Sequence, residues 1–553
     1  MPAFALTPAL CRRLNLRAIH GASGNGYEIV VPDRANIAAD SVGLHARGPN
    51  KDAPAVIWED AGGAVRRMSY AELDAAGARF AGALAAMGVA RAAPVALHMG
   101  QSVETAIAHI GCYKRGAIAT TISRHYGPDT VRHILRDSGA RVLVTEDAGW
   151  APLRGLAADC PALERVIVAG GAEGAEIAFE ACMDAVPAMP ADTRGDDPAL
   201  LIYTSGSTGA PKGILHGHRI LHGYKTSLSL FFNLELDAPG NVFWTSSDWA
   251  WVGGLIDVVY PAWWMGAPVV ASAHRFEAEW ALGFMARHGV THALMTPTAL
   301  KRLAEIAHPR RRWPDLKLRT VFTGGEALPA ETLAWLEGEL GIVCNEGYGM
   351  SEVNHMIGNC KALRPIKPGS MGWELPGHVA RLVDEVGREV ADGEVGEIVT
   401  WDRAATRFLG YWGRPDLDAA MRLGPWIRTR DVAVRDGDGY FWYRGRNDDL
   451  IKSAGFRIGP TEVEEALIAH AEVADAAVIG VPDAERGQAV KAFVKLRAGG
   501  VASSALAAEL QALVRARLGA HKAPRLVEFL DELPMTSSGK VARAELRRRG
   551  RTR

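Results

Sequence analysis

The chain has 553 residues, too many for a single hydrophobic core, so several domains are expected. Its residues are 48% hydrophobic and 23% charged, and the formal net charge of -1 predicts no bulk attraction to nucleic acid or to an anionic membrane. The six cysteines form no C-x-x-C pair, which argues against a zinc or thioredoxin-like site and favours reduced thiols in a cytoplasmic protein.

The sequence predicts neither a signal peptide nor a membrane-spanning helix. Residues 1–15 lack the apolar core of a signal peptide. The most apolar segment, 253–273, is interrupted by Asp257, Pro261 and Pro268, so it is predicted to be buried and not to span a membrane.

Between about residues 56 and 399, short apolar runs alternate with helical patterns, of which the clearest covers residues 70–87. Strands are predicted at residues 95–98, 142–144, 166–168 and 268–270. This alternation predicts α/β layers with largely parallel sheets.

Residues 203–213 (YTSGSTGAPKG) follow an apolar run that predicts a strand and precede a helical pattern with Ile220, Tyr224 and Leu228 on one face. The sequence therefore predicts a loop rich in Gly, Ser and Thr between a strand and a helix. Glycines let a backbone approach a polyanion, while N–H groups, hydroxyls and a lysine donate hydrogen bonds to phosphate oxygens. A polar surface loop is the alternative, but the composition and the flanks favour a nucleotide phosphate site.

The spacing in this loop differs from the Walker A motif, G-x-x-x-x-G-K-[ST], because Ala210 and Pro211 separate Gly209 from Lys212. This difference disfavours a P-loop kinase or ATPase.

The character of the chain changes near residue 445. A polar turn at 445–449 is followed by an α+β pattern, in which Thr461 and Glu464 are expected to form a capping box at the start of a helix. Strands are predicted at 473–481 and 489–496, and a second helix is expected to end at Gly519. We therefore predict an N-terminal domain at 1–447 and a C-terminal domain at 448–553.

Five further motifs follow the phosphate loop. They are 321–328 (VFTGGEAL), 345–352 (NEGYGMSE), 426–431 (WIRTRD), 443–458 (YRGRNDDLIKSAGFRI) and 533–541 (LPMTSSGKV). In this order, over roughly residues 50 to 545, the motifs resemble those of the adenylate-forming superfamily, which includes AMP-forming acyl-CoA synthetases, firefly luciferases and the adenylation domains of peptide synthetases. The resemblance implies a large N-terminal domain of layered sheets and helices and a small mobile α+β C-terminal domain.

The resemblance also assigns nucleotide-binding residues. They are Thr204, Ser205, Gly206, Ser207, Thr208, Gly209, Lys212, Gly325, Glu326, Ala327, Glu346, Gly347, Tyr348, Ser351, Asp431, Arg446 and Arg457. Within this set, Tyr348 is expected to stack on adenine and Asp431 to accept hydrogen bonds from the ribose. Glu352 is expected to help hold Mg²⁺, since a carboxylate oxygen suits this ion when it is bound with phosphates.

Catalytic roles are implied for Thr204, Glu352 and Lys540. Lys540 would orient the carboxylate of the acid and stabilise negative charge that develops at the α-phosphate. Asp448 matches the hinge of the family, and Gly455 lies where a strand must let the pantetheine arm of coenzyme A pass.

The acid site is expected to include Trp251, Gly349 and Met350, since residues 245–254 (TSSDWAWVGG) resemble the acyl-pocket segment of acyl-CoA synthetases. Acetyl-CoA synthetases resemble this chain in several motifs but carry a tryptophan at the position of Gly349. A glycine there predicts an acid larger than acetate or propionate, since each buried CH₂ contributes about 0.8 kcal/mol. The surrounding pattern makes Asp248 an improbable partner for an α-amino group.

The expected partners are thus a small carboxylic acid, ATP with Mg²⁺, and coenzyme A as co-substrate, with no nucleic acid. The expected reaction forms acyl-AMP and then acyl-CoA. An adenylating enzyme that loads a carrier protein remains an alternative, while a regulator without catalysis is disfavoured because the charged residues of every motif are present.

Overall fold

The computed structural model describes residues 6–19, 26–204, 210–447, 449–453, 456–483, 485–535 and 541–551. The chain forms two compact units. Unit 1 comprises Met1–Pro368, Gly372–Val379 and Trp401–Arg422, and unit 2 comprises Gly369–Met371, Ala380–Thr400 and Leu423–Arg553. The boundary predicted between residues 447 and 448 lies within unit 2, and as the boundary of a mobile domain it stays a prediction.

The strands are, in chain order, β1 (Leu16–Ala18), β2 (Tyr27–Ile29), β3 (Pro54–Glu59), β4 (Val65–Ser69), β5 (Pro94–His98), β6 (Ile118–Thr121), β7 (Val142–Glu146), β8 (Arg165–Ala169), β9 (Ile177–Ala178), β10 (Pro198–Thr204), β11 (Lys212–Gly217), β12 (Phe243–Thr245), β13 (Val269–Ser272), β14 (His292–Leu294), β15 (Thr320–Gly324), β16 (Val343–Met350), β17 (Asn354–Gly358), β18 (Gly372–Glu374), β19 (Arg381–Val383), β20 (Val395–Trp401), β21 (Gly410–Tyr411), β22 (Arg422–Leu423), β23 (Trp426–Arg435), β24 (Tyr440–Arg446), β25 (Ile451–Ser453), β26 (Phe456–Ile458), β27 (Val473–Asp483), β28 (Gly487–Leu496) and β29 (Leu526–Phe529).

The α-helices are α1 (Pro8–Arg13), α2 (Ile37–Asp40), α3 (Val42–Ala46), α4 (Tyr70–Ala86), α5 (Val103–Arg115), α6 (Pro128–Ser138), α7 (Asp147–Trp150), α8 (Ile220–Phe231), α9 (Val252–Gly254), α10 (Tyr260–Met265), α11 (Ala278–Arg287), α12 (Pro297–Ala304), α13 (Pro309–Arg312), α14 (Ala330–Gly338), α15 (Pro415–Ala420), α16 (Pro460–Ile468), α17 (Ser504–Leu518) and α18 (Arg543–Arg551). A π-helical stretch, Leu255–Val259, joins α9 to α10. None of the described helices is long and apolar enough to cross a membrane.

Unit 1 contains two large sheets, and both are mainly parallel, as the alternation of strands and helices predicts. The first sheet has the order β21-β11-β10-β6-β5-β7-β8-β9. The strands from β10 to β9 in this order all run parallel. The second sheet has the order β18-β17-β16-β15-β14-β12-β13-β3-β4 within this unit. In this order the strands from β16 to β3 run parallel to one another, whereas β17 is antiparallel to β16 and β4 is antiparallel to β3.

The segment after the phosphate loop differs from the prediction. Residues 212–217 form β11, which pairs antiparallel with β10, so the loop joins two strands of a hairpin and α8 begins only at Ile220. The run of buried and half-buried residues in β11 is too short for a sequence pattern to distinguish a strand from a loop. The predicted apolar face of the helix is confirmed, because Ile220, Tyr224 and Leu228 are all buried.

Unit 2 contains the strand order β19-β20-β23-β24 and a separate sheet ordered β26-β25-β28-β27, with β29 beside β28. Strands β27 and β28 and helix α17 occupy the predicted positions, and Gly519 has a left-handed φ of 97° at the end of α17. The predicted capping box is wrong, because α16 begins at Pro460. Gly459 precedes it and donates its N–H to Glu462, whereas Glu464 is buried.

Candidate active site

The phosphate hairpin places two predicted nucleotide ligands opposite each other. Thr204 ends β10 and Lys212 begins β11, and the two residues are direct cross-strand partners. Both are half-buried. His133 of α6 donates from Nε2 to the Pro211 carbonyl at 2.9 Å, which supports one end of the loop. Ser205, Gly206, Ser207, Thr208 and Gly209 lie outside the described residues.

The carboxyl ends of β15 and β16 form an adjacent edge of unit 1. The two strands are parallel, with Thr323 opposite Glu346 and Gly324 opposite Gly347. Open α/β sheets bind ligands at this edge. Glu346 and Tyr348 are half-buried whereas Gly347 between them is buried, as expected for alternating side chains on a strand.

The turn after β15 also reaches this edge. Gly325 and Ala327 are exposed, and Gly325 has a φ of 86°, which a residue with a side chain rarely adopts. Glu326 is half-buried and accepts a hydrogen bond from the Thr298 hydroxyl at 2.9 Å. The structure therefore brings the predicted residues of the second and third motifs together.

Gly347 is required by packing as well as by its position in the motif. A Cβ at this residue would lie 2.6 Å from the ring of Phe231 and 2.7 Å from the ring of Phe322. These two rings are stacked with centroids 4.3 Å apart and form the support beneath the edge. A side chain at residue 347 would therefore displace the strand that carries Tyr348.

The turn between β16 and β17 carries Glu352 and Ser351, both half-buried. The hydroxyl of Tyr411 donates to Oε1 of Glu352 at 2.5 Å, and the Phe408 N–H donates to the Glu352 carbonyl at 2.7 Å. Tyr411 belongs to β21, which pairs with β11. Glu352 is therefore joined to the phosphate hairpin by one side chain, although 59 residues separate Glu352 from Tyr411.

The predicted acyl segment follows β12 and contacts the first sheet. Gln101 donates to the Ser247 carbonyl at 2.7 Å, and Ser123 donates to Asp248 at 2.7 Å. The half-buried Trp251 packs edge-on against Tyr126, with ring centroids 5.6 Å apart. Burial raises the pKa of Asp248, while the hydrogen bond from Ser123 opposes that rise. Asp248 is thus held by the protein itself.

Gly349 lies in the most closely packed part of the hairpin. A Cβ at this residue would lie 2.1 Å from the Asn354 carbonyl oxygen and 3.0 Å from Cα of His355, its cross-strand partner. The register of the two strands shifts between Tyr348 and Gly349, which brings the backbones together. The structure therefore supplies a packing reason for this glycine. The half-buried Met350 is the cross-strand partner of Asn354.

Unit 2 holds two further predicted nucleotide ligands on neighbouring strands. Asp431 of β23 is the cross-strand partner of Arg446 of β24. The Tyr443 hydroxyl donates to Oδ1 of Asp431 at 3.2 Å, and the Asp431 N–H donates to the Thr429 hydroxyl at 3.1 Å. Burial raises the pKa of Tyr443, and the nearby charge of Asp431 acts in the same direction.

The remaining predicted residues fall outside the described part of the chain. These are Asp448, Gly455, the side chain of Arg457, and Lys540. Of the described residues on either side, Met535 forms a β-bridge with Val541, and the Ala542 N–H donates to the Pro534 carbonyl at 2.7 Å.

The donor chemistry of the site bears on metal binding. The described residues contain no group of three or more His, Cys, Asp and Glu side chains that could hold a metal ion. Glu352 is a single carboxylate beside the phosphate hairpin. Mg²⁺ is commonly bound by one or two carboxylates together with substrate phosphates and waters. The residues thus fit an ion that is held jointly with a nucleotide.

Comparison with known proteins decides the family. A family model described as AMP-binding enzyme matches residues 45–412, and a model of the AMP-binding enzyme C-terminal domain matches residues 462–540. The chain belongs to the AMP-binding enzyme family. Mouse mitochondrial acyl-coenzyme A synthetase ACSM3 is 32% identical over 539 residues, covering 95% of this chain and 92% of the relative. Acetyl-coenzyme A synthetase from Bacillus subtilis (strain 168) is 33% identical over 527 residues, covering 93% and 90%.

Solved structures agree with this AMP-binding enzyme assignment. The anthranilate CoA ligase AuaEII, in complex with anthranoyl-AMP, has a TM-score of 0.82 and 28% identity, covering 94% of this chain and 98% of that chain. A benzoate CoA ligase from Burkholderia xenovorans LB400 has a TM-score of 0.80 and 29% identity, covering 93% and 99%. This AMP-binding enzyme is an acyl-CoA synthetase, that is, an acid–thiol ligase that depends on ATP and takes coenzyme A as co-substrate.

Several residues of the site have no signal in the sequence. Tyr411 and Tyr443 each donate a hydrogen bond to a predicted acidic ligand, and Tyr126 packs against Trp251. A tyrosine in a strand or loop carries no periodicity that distinguishes a site from a core. Only Tyr443 lies within a motif that could have drawn attention to it.

Proposed function

We propose that this acyl-CoA synthetase activates an acid larger than acetate or propionate: a medium-chain, branched or aryl carboxylate. One observation supports the activation of the acid by ATP: within unit 1, Tyr411 joins the Thr204–Lys212 hairpin to Glu352. A phosphate-binding hairpin and a carboxylate suited to Mg²⁺ are thus adjacent to the strand edge that carries Tyr348.

In the proposed first step, the acid carboxylate attacks the α-phosphate of ATP, a P–O bond to the acyl group forms, and pyrophosphate leaves. Lys212 and the hydroxyl of Thr204 would donate to phosphate oxygens. Tyr348 would stack on the adenine, and Asp431 would accept hydrogen bonds from the ribose hydroxyls. Arg446 and Arg457 would contribute positive charge to nucleotide binding.

Glu352 would hold Mg²⁺ together with the phosphates. When bound, this ion would neutralise part of the charge on the leaving pyrophosphate. The Tyr411 hydroxyl fixes one oxygen of the carboxylate, so that Glu352 is oriented before the nucleotide arrives. Glu326, Glu346 and Ser351 would complete the polar surroundings of the nucleotide.

The preference for a larger acid rests on two features. Gly349 adds no side chain to the predicted acid site, and Trp251 with Tyr126 offers an aromatic wall. The structures named for anthranilate and benzoate ligases are consistent with an aryl acid, whereas the Bacillus subtilis relative is named for acetate. The Gly349 position is therefore the feature that favours the larger acids.

The proposed second step is the attack of the CoA thiolate on the acyl-adenylate, which breaks the acyl–phosphate bond and releases AMP. Residues 448–553 would rotate about Asp448, remove Lys540 from the site, and bring the strand of Gly455 to the pantetheine arm. In this proposal Lys540 acts only in the first step, the formation of acyl-AMP.

The first experiment measures pyrophosphate release with ATP and Mg²⁺ for acetate, butyrate, hexanoate, octanoate, benzoate and several amino acids, with and without CoA. We expect CoA-dependent turnover with the highest kcat/KM beyond propionate. The highest kcat/KM for acetate would refute the size preference. Pyrophosphate release that CoA does not accelerate, or that only amino acids elicit, would instead indicate an enzyme that loads a carrier protein.

A second experiment tests the role of Lys540. We expect Lys540→Ala to abolish adenylation, because Lys540 is proposed to orient the acid carboxylate and to stabilise the negative charge that develops at the α-phosphate. The same variant should still form thioester from acyl-AMP and CoA. Equal loss of both half-reactions would overturn the proposed division of labour between the two steps.

A further inference from the structure

The turn that carries Glu352 ends in a residue with unfavourable backbone geometry. Asn354 has a φ of 62°, in the left-handed region, and is buried with a relative exposure of 1%. This conformation costs an ordinary residue about 1–2 kcal/mol, although asparagine tolerates it better than most. Such a conformation persists only where the surrounding contacts determine it.

The side chain of Asn354 is fixed from two directions. The hydroxyl of Tyr224, on the buried face of α8, donates to Oδ1 of Asn354. Nδ2 of Asn354 donates to the Thr406 carbonyl at 2.8 Å. All three residues are buried, with exposures of 2% or less, so these hydrogen bonds are shielded from water.

Residues 406–408 hold the same turn at two further points. The Thr406 hydroxyl donates to the Val353 carbonyl at 2.6 Å, and the Phe408 N–H donates to the Glu352 carbonyl at 2.7 Å. Three consecutive residues of the turn, Glu352 to Asn354, are therefore bonded to one short segment. That segment continues to Tyr411, which contacts the Glu352 carboxylate and pairs with the phosphate hairpin.

We infer that Tyr224, Asn354 and Thr406 form a buried bracket whose role is to position Glu352 for a divalent cation bound with the nucleotide. The inference rests on the role proposed above for Glu352. Tyr224 and Thr406 act only through Asn354 and the turn, so they are positioning residues and make no contact with substrate. We expect the removal of one hydrogen bond from the bracket to loosen the turn.

The test is Tyr224→Phe, which removes the hydroxyl and keeps the ring. Mn²⁺ binding, measured by electron paramagnetic resonance in the presence of a non-hydrolysable ATP analogue and without acid or CoA, should weaken about tenfold, as is typical when a residue that orients a metal ligand is lost. Hydrogen exchange at the amides of residues 352–354 should become faster.

The matched control is Tyr70→Phe. Tyr70 is fully buried in unit 1 and donates its hydroxyl to the Ala267 carbonyl at 2.8 Å, away from the turn. Tyr70→Phe should lower the stability of the protein by about as much as Tyr224→Phe, and it should leave Mn²⁺ binding and hydrogen exchange at the turn unchanged. Thr406→Val, which removes the bond to Val353, should act in the same direction as Tyr224→Phe and serves if that variant does not fold.

The inference is overturned if Tyr224→Phe and Thr406→Val leave Mn²⁺ affinity within the range of Tyr70→Phe, or if all three variants weaken it equally. Failure of the proposed function has a separate signature. A wild-type protein that binds the Mn²⁺–nucleotide complex but activates no acid would refute the proposed reaction, while the titration of the variants would still decide the role of the bracket.

Discussion

The two units bury titratable side chains in different ways. Six of the buried histidines of unit 1 have a lowered pKa: His98, His109, His216, His218, His292 and His378. Burial lowers the pKa of the first, third and fourth to about 4, and of the other three to about 3, so all six are neutral at pH 7. Unit 2 instead contains an ion pair between a buried carboxylate and a half-buried guanidinium, in which Arg543 donates to both oxygens of Glu464 at 2.6 and 2.7 Å.

The difference has a physical consequence. A neutral buried histidine destabilises the fold only when protons are abundant, because protonation favours the unfolded chain. A buried ion pair destabilises the fold when either partner is removed, because a charge is left without its partner in a region of low dielectric. Unit 1 should therefore be sensitive to pH and unit 2 to the loss of a single side chain.

The largest expected effect is acid destabilisation of unit 1. The folded pKa values lie below the ordinary histidine value of 6.5, so the histidines stabilise the fold fully above pH 6.5 and lose that contribution as the pH falls toward 4 and 3. For each histidine that is protonated only in the unfolded chain, the free energy of unfolding falls by about 1.4 kcal/mol for each pH unit below 6.5. The six histidines together therefore lower it by several kcal/mol. Urea unfolding between pH 7.5 and 5.0, followed by tryptophan fluorescence, measures this loss of stability. The fluorescence reports mainly on unit 1, because all of the 15 tryptophans except Trp426 and Trp442 are in that unit.

A matched pair of variants localises the effect. His109→Gln leaves Tyr113 with a hydrogen-bond partner and should reduce the pH dependence of the free energy of unfolding by the contribution of one histidine. His308→Gln changes a side chain that is 62% exposed and serves as the exposed control. A pH dependence that neither variant alters would show that other groups dominate acid unfolding.

The second expected effect is the loss of unit 2 on breaking its buried pair. Burial raises the pKa of Glu464 and the charge of Arg543 opposes that rise, so the two residues depend on each other. Glu464→Gln should lower the free energy of unfolding by about 3 kcal/mol, the low end of the range for a buried pair, because the half-buried Arg543 loses its hydrogen-bonded counter-charge. Hydrogen exchange at Val478, whose N–H donates to Glu464, reports on this pair directly.

The control for this prediction is an exposed pair in the same unit. Lys495 contacts Glu532 at 2.8 Å, and the Glu532 side chain is 79% exposed. Glu532→Gln should change the free energy of unfolding by less than about 1 kcal/mol, because solvent screens the pair. Equal effects of Glu464→Gln and Glu532→Gln on the free energy of unfolding would show that burial of the ion pair does not determine the stability of unit 2.

A smaller effect is expected at Gly349 in unit 1. Gly349→Ala places a methyl group where the Asn354 carbonyl lies 2.1 Å away, so the backbone must shift, at a cost of about 1–3 kcal/mol. If Gly349 also leaves room for the acid, kcat/KM for hexanoate and benzoate should fall more than that for acetate. An equal fall for all acids would leave packing as the only role of this glycine.

The sequence predicts the parts of this protein that depend on local patterns. The alternation of strands and helices, the parallel sheets of unit 1 and the buried face of α8 follow from periodicity. The predictions at β11 and at the start of α16 were wrong because both elements depend on partners that are distant in the chain. Strand β11 pairs with β21 as well as with β10, and Glu464 contacts Arg543, 79 residues later in the chain. Likewise, the contacts that orient Glu352 and Asn354 come from residues 50 or more positions away.

The smallest expected effect compares the two tyrosines that donate to predicted nucleotide ligands, one in each unit. Tyr443 donates to Asp431 at 3.2 Å, and Tyr411 donates to Glu352 at 2.5 Å. Tyr443→Phe should lower the free energy of unfolding by about 1 kcal/mol, the usual value of one hydrogen bond. Tyr411→Phe should lower it more because its hydrogen bond is shorter, both acceptors being carboxylates. AMP binding by calorimetry should weaken in Tyr443→Phe without a change in Mn²⁺ dependence, since Asp431 is proposed to contact the ribose. If Tyr411→Phe and Tyr443→Phe instead alter the Mn²⁺ dependence alike, the separate roles proposed for Glu352 and Asp431 are wrong.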